Sequence, residues 1–166
     1  MKLAIDVYYF NENNTKAVGV CFQEWESPEP AEIFTNNLDN AEKYEPGNFY
    51  KRELPCIIKL LELINTENID VIIIDGYVYL EDMSIPGLGL HLYNAIERKI
   101  PIIGVAKTYY HTNIAEKILR GKSKTPLYIT SAGMEAGEAA GCIKNMYGDY
   151  RIPKLLQLLD RETKRA

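Results

Sequence analysis

Three carboxylates in this chain stand where the surrounding sequence should hold them still. Asp6 interrupts the apolar run KLAIDVYYF, Asp75 closes the run IDVIIIDG, and Glu53 lies in FYKRELP at the start of a helical pattern. An ionised carboxylate inside a buried strand is costly unless it is paired or neutralised by a metal. Carboxylates converging at one sheet edge suit a hard divalent cation such as Mg²⁺, which prefers oxygen ligands. An ion held there could activate water and stabilise the leaving oxygen of a phosphodiester. Lys107 ends the run GVAK and could face the same crevice, where a cation suits a phosphate or a developing negative charge. Each residue also has a plain structural reading. Asp75 before Gly76 could be a turn former, Asp6 a paired strand carboxylate, Glu53 a solvated acid near a helix start, and Lys107 a solvated strand end. The chemical reading is favoured because all four fall at corresponding ends of elements in one expected sheet.

The elements that must position them are read from periodicity. Residues 2–10, 16–25 and 31–35 read as three strands joined by short turns, an antiparallel meander. Residues 36–48 read as a polar loop with a Pro46-Gly47 turn. Leu54, Ile57, Ile58, Leu61 and Ile64 make one apolar helical face over 49–66. IDVIIID and IPIIGVAK are continuous β-branched runs of strand length, the pattern of strands buried on both faces. Helices are expected at about 88–98, 133–147 and 154–164, a further strand at PLYITS, and a mixed basic stretch over 109–124. Alternating helices and buried strands imply right-handed crossovers. The expected fold is α/β: a mixed sheet with an antiparallel front half and a parallel back half, flanked by helices. On that topology Asp6 and Asp75 share the edge where ligands of open α/β sheets bind.

Composition narrows the class. The length of 166 residues predicts a single domain spanning 1–166 with a substantial core, and 46% hydrophobic with 25% charged residues is ordinary for a globular protein. Three scattered cysteines, Cys21, Cys56 and Cys142, fit neither a disulfide framework nor zinc spacing and imply reduced thiols. No membrane span is expected, because no apolar run is long enough. With a strand pattern at the first residues, the expectation is a cytoplasmic protein without a signal peptide. A net charge of −4 does not advertise nucleic-acid binding, although a local basic groove suffices for it. Oligomeric state is not encoded in any motif; a monomer is the expectation.

Taken in order, AIDVYY, YEPGNFYKRELP, IDVIIIDG, GLGLHLYNAIERKIPIIGVAKT and RIPKLLQLLDRETKR resemble the motifs of the endonuclease V family over nearly the whole chain, residues 1–165. The resemblance implies an RNase H-like fold and a nuclease of deaminated adenine (inosine) in DNA or RNA. Such enzymes cleave at the second phosphodiester 3′ to the lesion with Mg²⁺ or Mn²⁺. By motif, Asp6, Glu53 and Asp75 would be metal ligands, with Asp160 in or near the same shell, and Lys107 would contact the phosphate. Gly76 follows the strand-end Asp in the family's Asp-Gly pair. Tyr44 and Pro46 match an aromatic–proline wedge, which suits distortion of a base step. His91 matches a helix histidine near the phosphate, and Gly133 a glycine near a base turned out of the stack.

The chain also departs from the family pattern. Val78 stands at a usual glycine, and Glu81, Asp82 and Met83 occupy a region where the family carries His-Pro-Arg. An acidic loop beside a phosphate path should weaken backbone binding, since phosphate neutralisation supplies much of the affinity. Lys117, Arg120, Lys122, Lys124, Arg161, Lys164 and Arg165 could compensate, with Tyr109 and Tyr110 stacking on bases. The 117–124 cluster also reads as an ordinary solvated loop. Three functions therefore compete. One is a metal-dependent endonuclease of the endonuclease V type. Another is a non-catalytic domain of the same fold that binds nucleic acid or protein. The third is a nuclease of changed specificity, for example on RNA or branched structures.

Overall fold

The protein is described from a computed structural model covering residues 1–11, 14–39, 49–110 and 114–165. Tyr44, Pro46 and His111 lie outside the described residues. The chain opens with β1 (Lys2–Tyr9), β2 (Asn14–Phe22) and β3 (Glu32–Asp39), followed by α1 (Phe49–Leu61). Next come β4 (Val71–Asp75), a small hairpin of β5 (Tyr79–Leu80) and β6 (Ile85–Pro86), and α2 (Leu88–Ala95). β7 (Ile102–Ala106), β8 (Glu116–Ile118), β9 (Leu127–Ala132), α3 (Ala136–Lys144) and α4 (Lys154–Lys164) complete it. Apart from the hairpin, the strands form one seven-stranded sheet in the order β3-β2-β1-β4-β7-β9-β8.

The mixed sheet agrees with the sequence-based expectation, and its front three strands are the antiparallel meander. The parallel part is confined to β1, β4 and β7. β9 runs antiparallel to β7, and β8 antiparallel to β9, so the back half is not parallel throughout. The reason lies in the connections. Helices bridge β3 to β4 and β4 to β7, whereas the described residues between β7 and β9 contain only the short strand β8. A parallel neighbour requires a crossover back along the sheet, usually a helix, and that stretch supplies none.

Strand alternation divides the core into two layers. Leu3, Ile5, Ile72, Ile74 and Ile102 face α1 and α2, packing on Ile57, Leu60 and Leu92. Ala4, Val18, Ile73, Ile103, Val105 and Ile129 face α3 and α4, packing on Ile143, Leu155 and Leu159. This parity fixes the site. Asp6 and Asp75 share the parity of Ala4 and Ile73, which turns both carboxylates toward the α4 side of the sheet. α4 is held in register by Lys16 of β2. Its ammonium donates to the carbonyls of Glu162 and Arg165, each at 2.7 Å, closing the helix's C-terminal end.

One member of the basic 117–124 cluster is not on the surface. Arg120 is 5% exposed, and its guanidinium donates to five backbone carbonyls of the segment 144–151. The closest are those of Tyr150 at 2.5 Å and Met146 at 2.6 Å. Arg120 thus replaces the secondary structure that this loop between α3 and α4 lacks, while Lys117, Lys122 and Lys124 stay outside the core. Buried carbonyls left without donors cost about 1–3 kcal/mol each. Arg120→Ala should lower stability by about 3 kcal/mol, or about 6–12 °C in Tm, measured by thermal denaturation.

Candidate active site

The site forms where the parallel strands end. Asp6 lies on β1 one residue past Ile5, which pairs with Ile74, so Asp6 and Asp75 stand at the same level of adjacent strands. Asp75 in turn pairs with Val105, two residues before Lys107. The Lys107 ammonium is 3.7 Å from an Asp75 carboxylate oxygen, with both side chains about two-fifths exposed. Asp160 comes from α4 and lines one shallow pocket with Asp6, Asp75 and Lys107, floored by Ile73, Val105, Leu156 and Leu159. Its carboxylate pairs with Lys164 one helical turn on, at 3.1 Å. Glu53 reaches over the strand ends from the opposite helical layer, on α1.

These groups feel one another's charge. Asp6 accepts a hydrogen bond from the Val7 amide at 2.9 Å, yet its pKa is pushed up from 3.8 to about 7, by burial first and then by Asp75. Lys107 and the Val7 amide oppose that rise, and Asp160 adds to it. Burial, Asp6 and Asp75 push Glu53 up from 4.5 to about 7. Asp75 is also raised, by burial and Asp160, against the pull of Lys107. Burial first, and like charge nearby second, disfavour ionisation of all three carboxylates, and a bound cation would relieve both. All the candidate donors are carboxylate oxygens, the set that Mg²⁺ and Mn²⁺ prefer over softer metals. The donor chemistry therefore fits such an ion. Among the described residues no three side chains already stand close enough to grip one, so binding would draw the carboxylates inward.

The remaining sequence candidates divide. Gly76 follows Asp75 with φ of +123°, a backbone that side-chain-bearing residues rarely adopt, and it turns the chain sharply away from the strand end. Its amide donates to the Val105 carbonyl, tying the turn to β7. His91 on α2 stacks flat on Tyr50, with ring centroids 3.6 Å apart, and burial lowers its pKa. Tyr50 lies one turn before Glu53 on α1, so the stack sets His91 against the helix that carries Glu53.

Gly133 is not brought to the site. It follows β9 at the end paired with the start of β7, against Tyr93 and Pro101, whereas Lys107 is at the other end of β7. About six strand residues separate the two levels, roughly 20 Å. The antiparallel course of β9 causes this, because it carries residue 133 away from the edge that a parallel strand would have led it to.

Val78, at the position of a usual family glycine, is fully buried. Its amide donates to the Thr130 hydroxyl at 2.8 Å, and its side chain lies against Gly89, where a Cβ would come within 2.6 Å of it. The valine thus fills space that Gly89 leaves open. Glu81 and Asp82 lie in the connection between β5 and β6. Asp82 accepts hydrogen bonds from the Ser84 amide and hydroxyl, which hold its carboxyl below the usual range, so this loop stays negative. A residue with no role in the sequence reading also touches the site. Arg151 donates to the Lys107 carbonyl. The only sequence signal for it was its place in the segment RIPKLLQLLDRETKR.

Comparison with known proteins gives a consistent picture. The family model for endonuclease V matches residues 3–147. Endonuclease V from Bacillus subtilis superposes with a TM-score of 0.78 at 18% identity, covering 98% of this chain and 78% of that one. The Ciona intestinalis endonuclease V, solved with a 24mer DNA containing an inosine followed by a ribo-adenosine, gives 0.77 at 17% identity, covering 98% and 83%. The human enzyme gives 0.74 at 19%, covering 98% and 82%. No curated protein matches the chain in sequence.

The raised carboxylates set a pH dependence. Between about pH 4 and 7 the folded protein keeps protons on Asp6 and Glu53 that the unfolded chain has released. Stability without divalent cations should therefore fall as pH rises through that window and level off above it. Thermal melts in a chelator should show this slope. Asp6→Asn should flatten it and raise Tm at pH 8, since the substitution removes a carboxylate charge that burial and its neighbours disfavour.

Proposed function

The chain belongs to the endonuclease V family, and we propose that it is a metal-dependent endonuclease hydrolysing a phosphodiester bond in deaminated, inosine-containing or distorted DNA or RNA. The observation that carries this reading is the placement of Asp6, Glu53 and Asp75 in one another's field at the strand ends, with Lys107 beside them. Asp6, Glu53 and Asp75 would hold Mg²⁺ or Mn²⁺, with Asp160 near or in the same shell. The bound ion would activate water and stabilise the leaving oxygen. Lys107 bears on the phosphate, where a fixed cation stabilises charge as it develops. His91 and Gly76 border the same edge, and Tyr44 and Pro46 are proposed as the wedge that opens the strand. The Ciona enzyme's inosine-containing DNA supports a deaminated substrate by kinship. The free thiols Cys21, Cys56 and Cys142 favour a reducing, cytoplasmic setting.

A second reading is favoured by one feature. The negative Glu81–Asp82 loop leaves the same end of β4 as Asp75, and there it works against a phosphate backbone. On that reading the chain binds nucleic acid or a protein partner without cutting.

Purified protein with Mn²⁺ should nick an inosine-containing strand. Asp6→Asn or Asp75→Asn should cut the rate by about 1,000-fold or more while the strand still binds, since a metal site supplies several kcal/mol to the transition state. Binding without cleavage on inosine, abasic and mismatch substrates, in both Mg²⁺ and Mn²⁺, would instead establish the second reading.

A further inference from the structure

Lys107 stands one residue beyond the ladder that carries it. The pairing of β7 with β9 ends at Ala106 opposite Tyr128, and that with β4 ends at Val105 opposite Asp75. The backbone of Lys107 and Thr108 therefore has no strand partner to fix its direction, although the ammonium of Lys107 must be aimed at Asp75. Two side chains supply what the ladder does not. The Tyr77 hydroxyl donates to the Thr108 carbonyl at 2.6 Å. The Arg151 guanidinium donates to the Lys107 carbonyl at 2.5 Å, and at the same time to the carbonyls of Pro126 at 2.9 Å and Thr125 at 3.1 Å.

Arg151 thus spans the gap between the end of β7 and the chain entering β9. A planar guanidinium can reach several carbonyls at once in a fixed geometry, which an ammonium cannot. Its own backbone is anchored as well. Arg120 donates to the carbonyls of Tyr150 and Arg151, so one arginine fixes the loop and the next fixes the lysine. Pro153 occupies the position before α4, and the helix begins at Lys154, which places Arg151 just before the helix bearing Asp160.

We propose that Arg151 is the positioning residue for Lys107, holding its backbone so that the ammonium stays beside Asp75. The Nε and Nη2 donors of Arg151 are engaged by backbone carbonyls, which ties that edge of the guanidinium to the lysine's backbone. The inference rests on the endonuclease reading for its kinetic consequence and on geometry alone for its structural one.

The test combines a double-mutant cycle with chemical labelling. With wild type active, Arg151→Ala should lower kcat about 10–100-fold with KM nearly unchanged, the cost of a misplaced catalytic group. In a Lys107→Ala background the same substitution should change little, since its effect runs through the lysine. Arg151→Lys, which keeps the charge but cannot span three carbonyls, should not restore kcat. Additive losses, a change confined to KM, or full activity in Arg151→Lys would overturn the inference, the last two by marking Arg151 as a phosphate contact. Labelling is independent of activity. Acetic anhydride modification of Lys107, read by mass spectrometry, should quicken several-fold in Arg151→Ala. Unchanged labelling contradicts the positioning role even if wild type proves inactive, whereas inactivity with faster labelling overturns only the endonuclease reading.

Discussion

Asp6, Glu53 and Asp75 repel one another across the ends of β1 and β4, and much of the fold serves to keep them there despite it. The strands beneath are among the most buried parts of the chain, with Ile5, Ile73 and Ile74 almost wholly out of water. Two helical layers press on the sheet from opposite faces and bring Glu53 over from one side and Asp160 from the other. A group of carboxylates raised by burial and by each other destabilises the ionised protein. Such a cost is commonly stored at functional sites, where a ligand of opposite charge relieves it.

Lys107 is the local counterweight. At 3.7 Å from Asp75 it opposes the rise in the pKa of that residue and of Asp6. One ammonium does not balance three or four carboxylates, and the shortfall is what a divalent cation would fill. The same lysine lies beyond the sheet's hydrogen bonds and is steered by loop side chains. The loop between α3 and α4 is therefore tied to the site through Arg120 and Arg151, although neither residue faces the carboxylates.

Legibility in the sequence followed burial. The continuous β-branched runs gave β4 and β7 directly, and α4 occupies 154–164 as its apolar spacing predicts. Asp6 and Asp75 were legible because a carboxylate in such a run stands out. β8 escaped notice because three residues, two of them exposed, carry no period. β3 runs on to Asp39 through polar residues that alternate at a sheet edge and resemble a loop. Strand direction was the larger gap. Antiparallel β9 could not be told from a parallel strand by composition, and its course leaves Gly133, assigned by motif resemblance alone, at the far edge. Arg120 was invisible for a related reason. Its neighbours Lys117, Lys122 and Lys124 stay outside the core, and only the tertiary course of 144–151 makes one of four similar cations a buried clasp.

The most direct test of the account is where a divalent ion binds. Crystals soaked in Mn²⁺ and measured at its absorption edge should show an anomalous peak about 2.0–2.6 Å from oxygens of Asp6 and Asp75, with Glu53 or Asp160 completing the shell directly or through water. Ion density elsewhere, or carboxylates left bare at saturating Mn²⁺, would contradict the claim that their mutual repulsion exists to hold a metal.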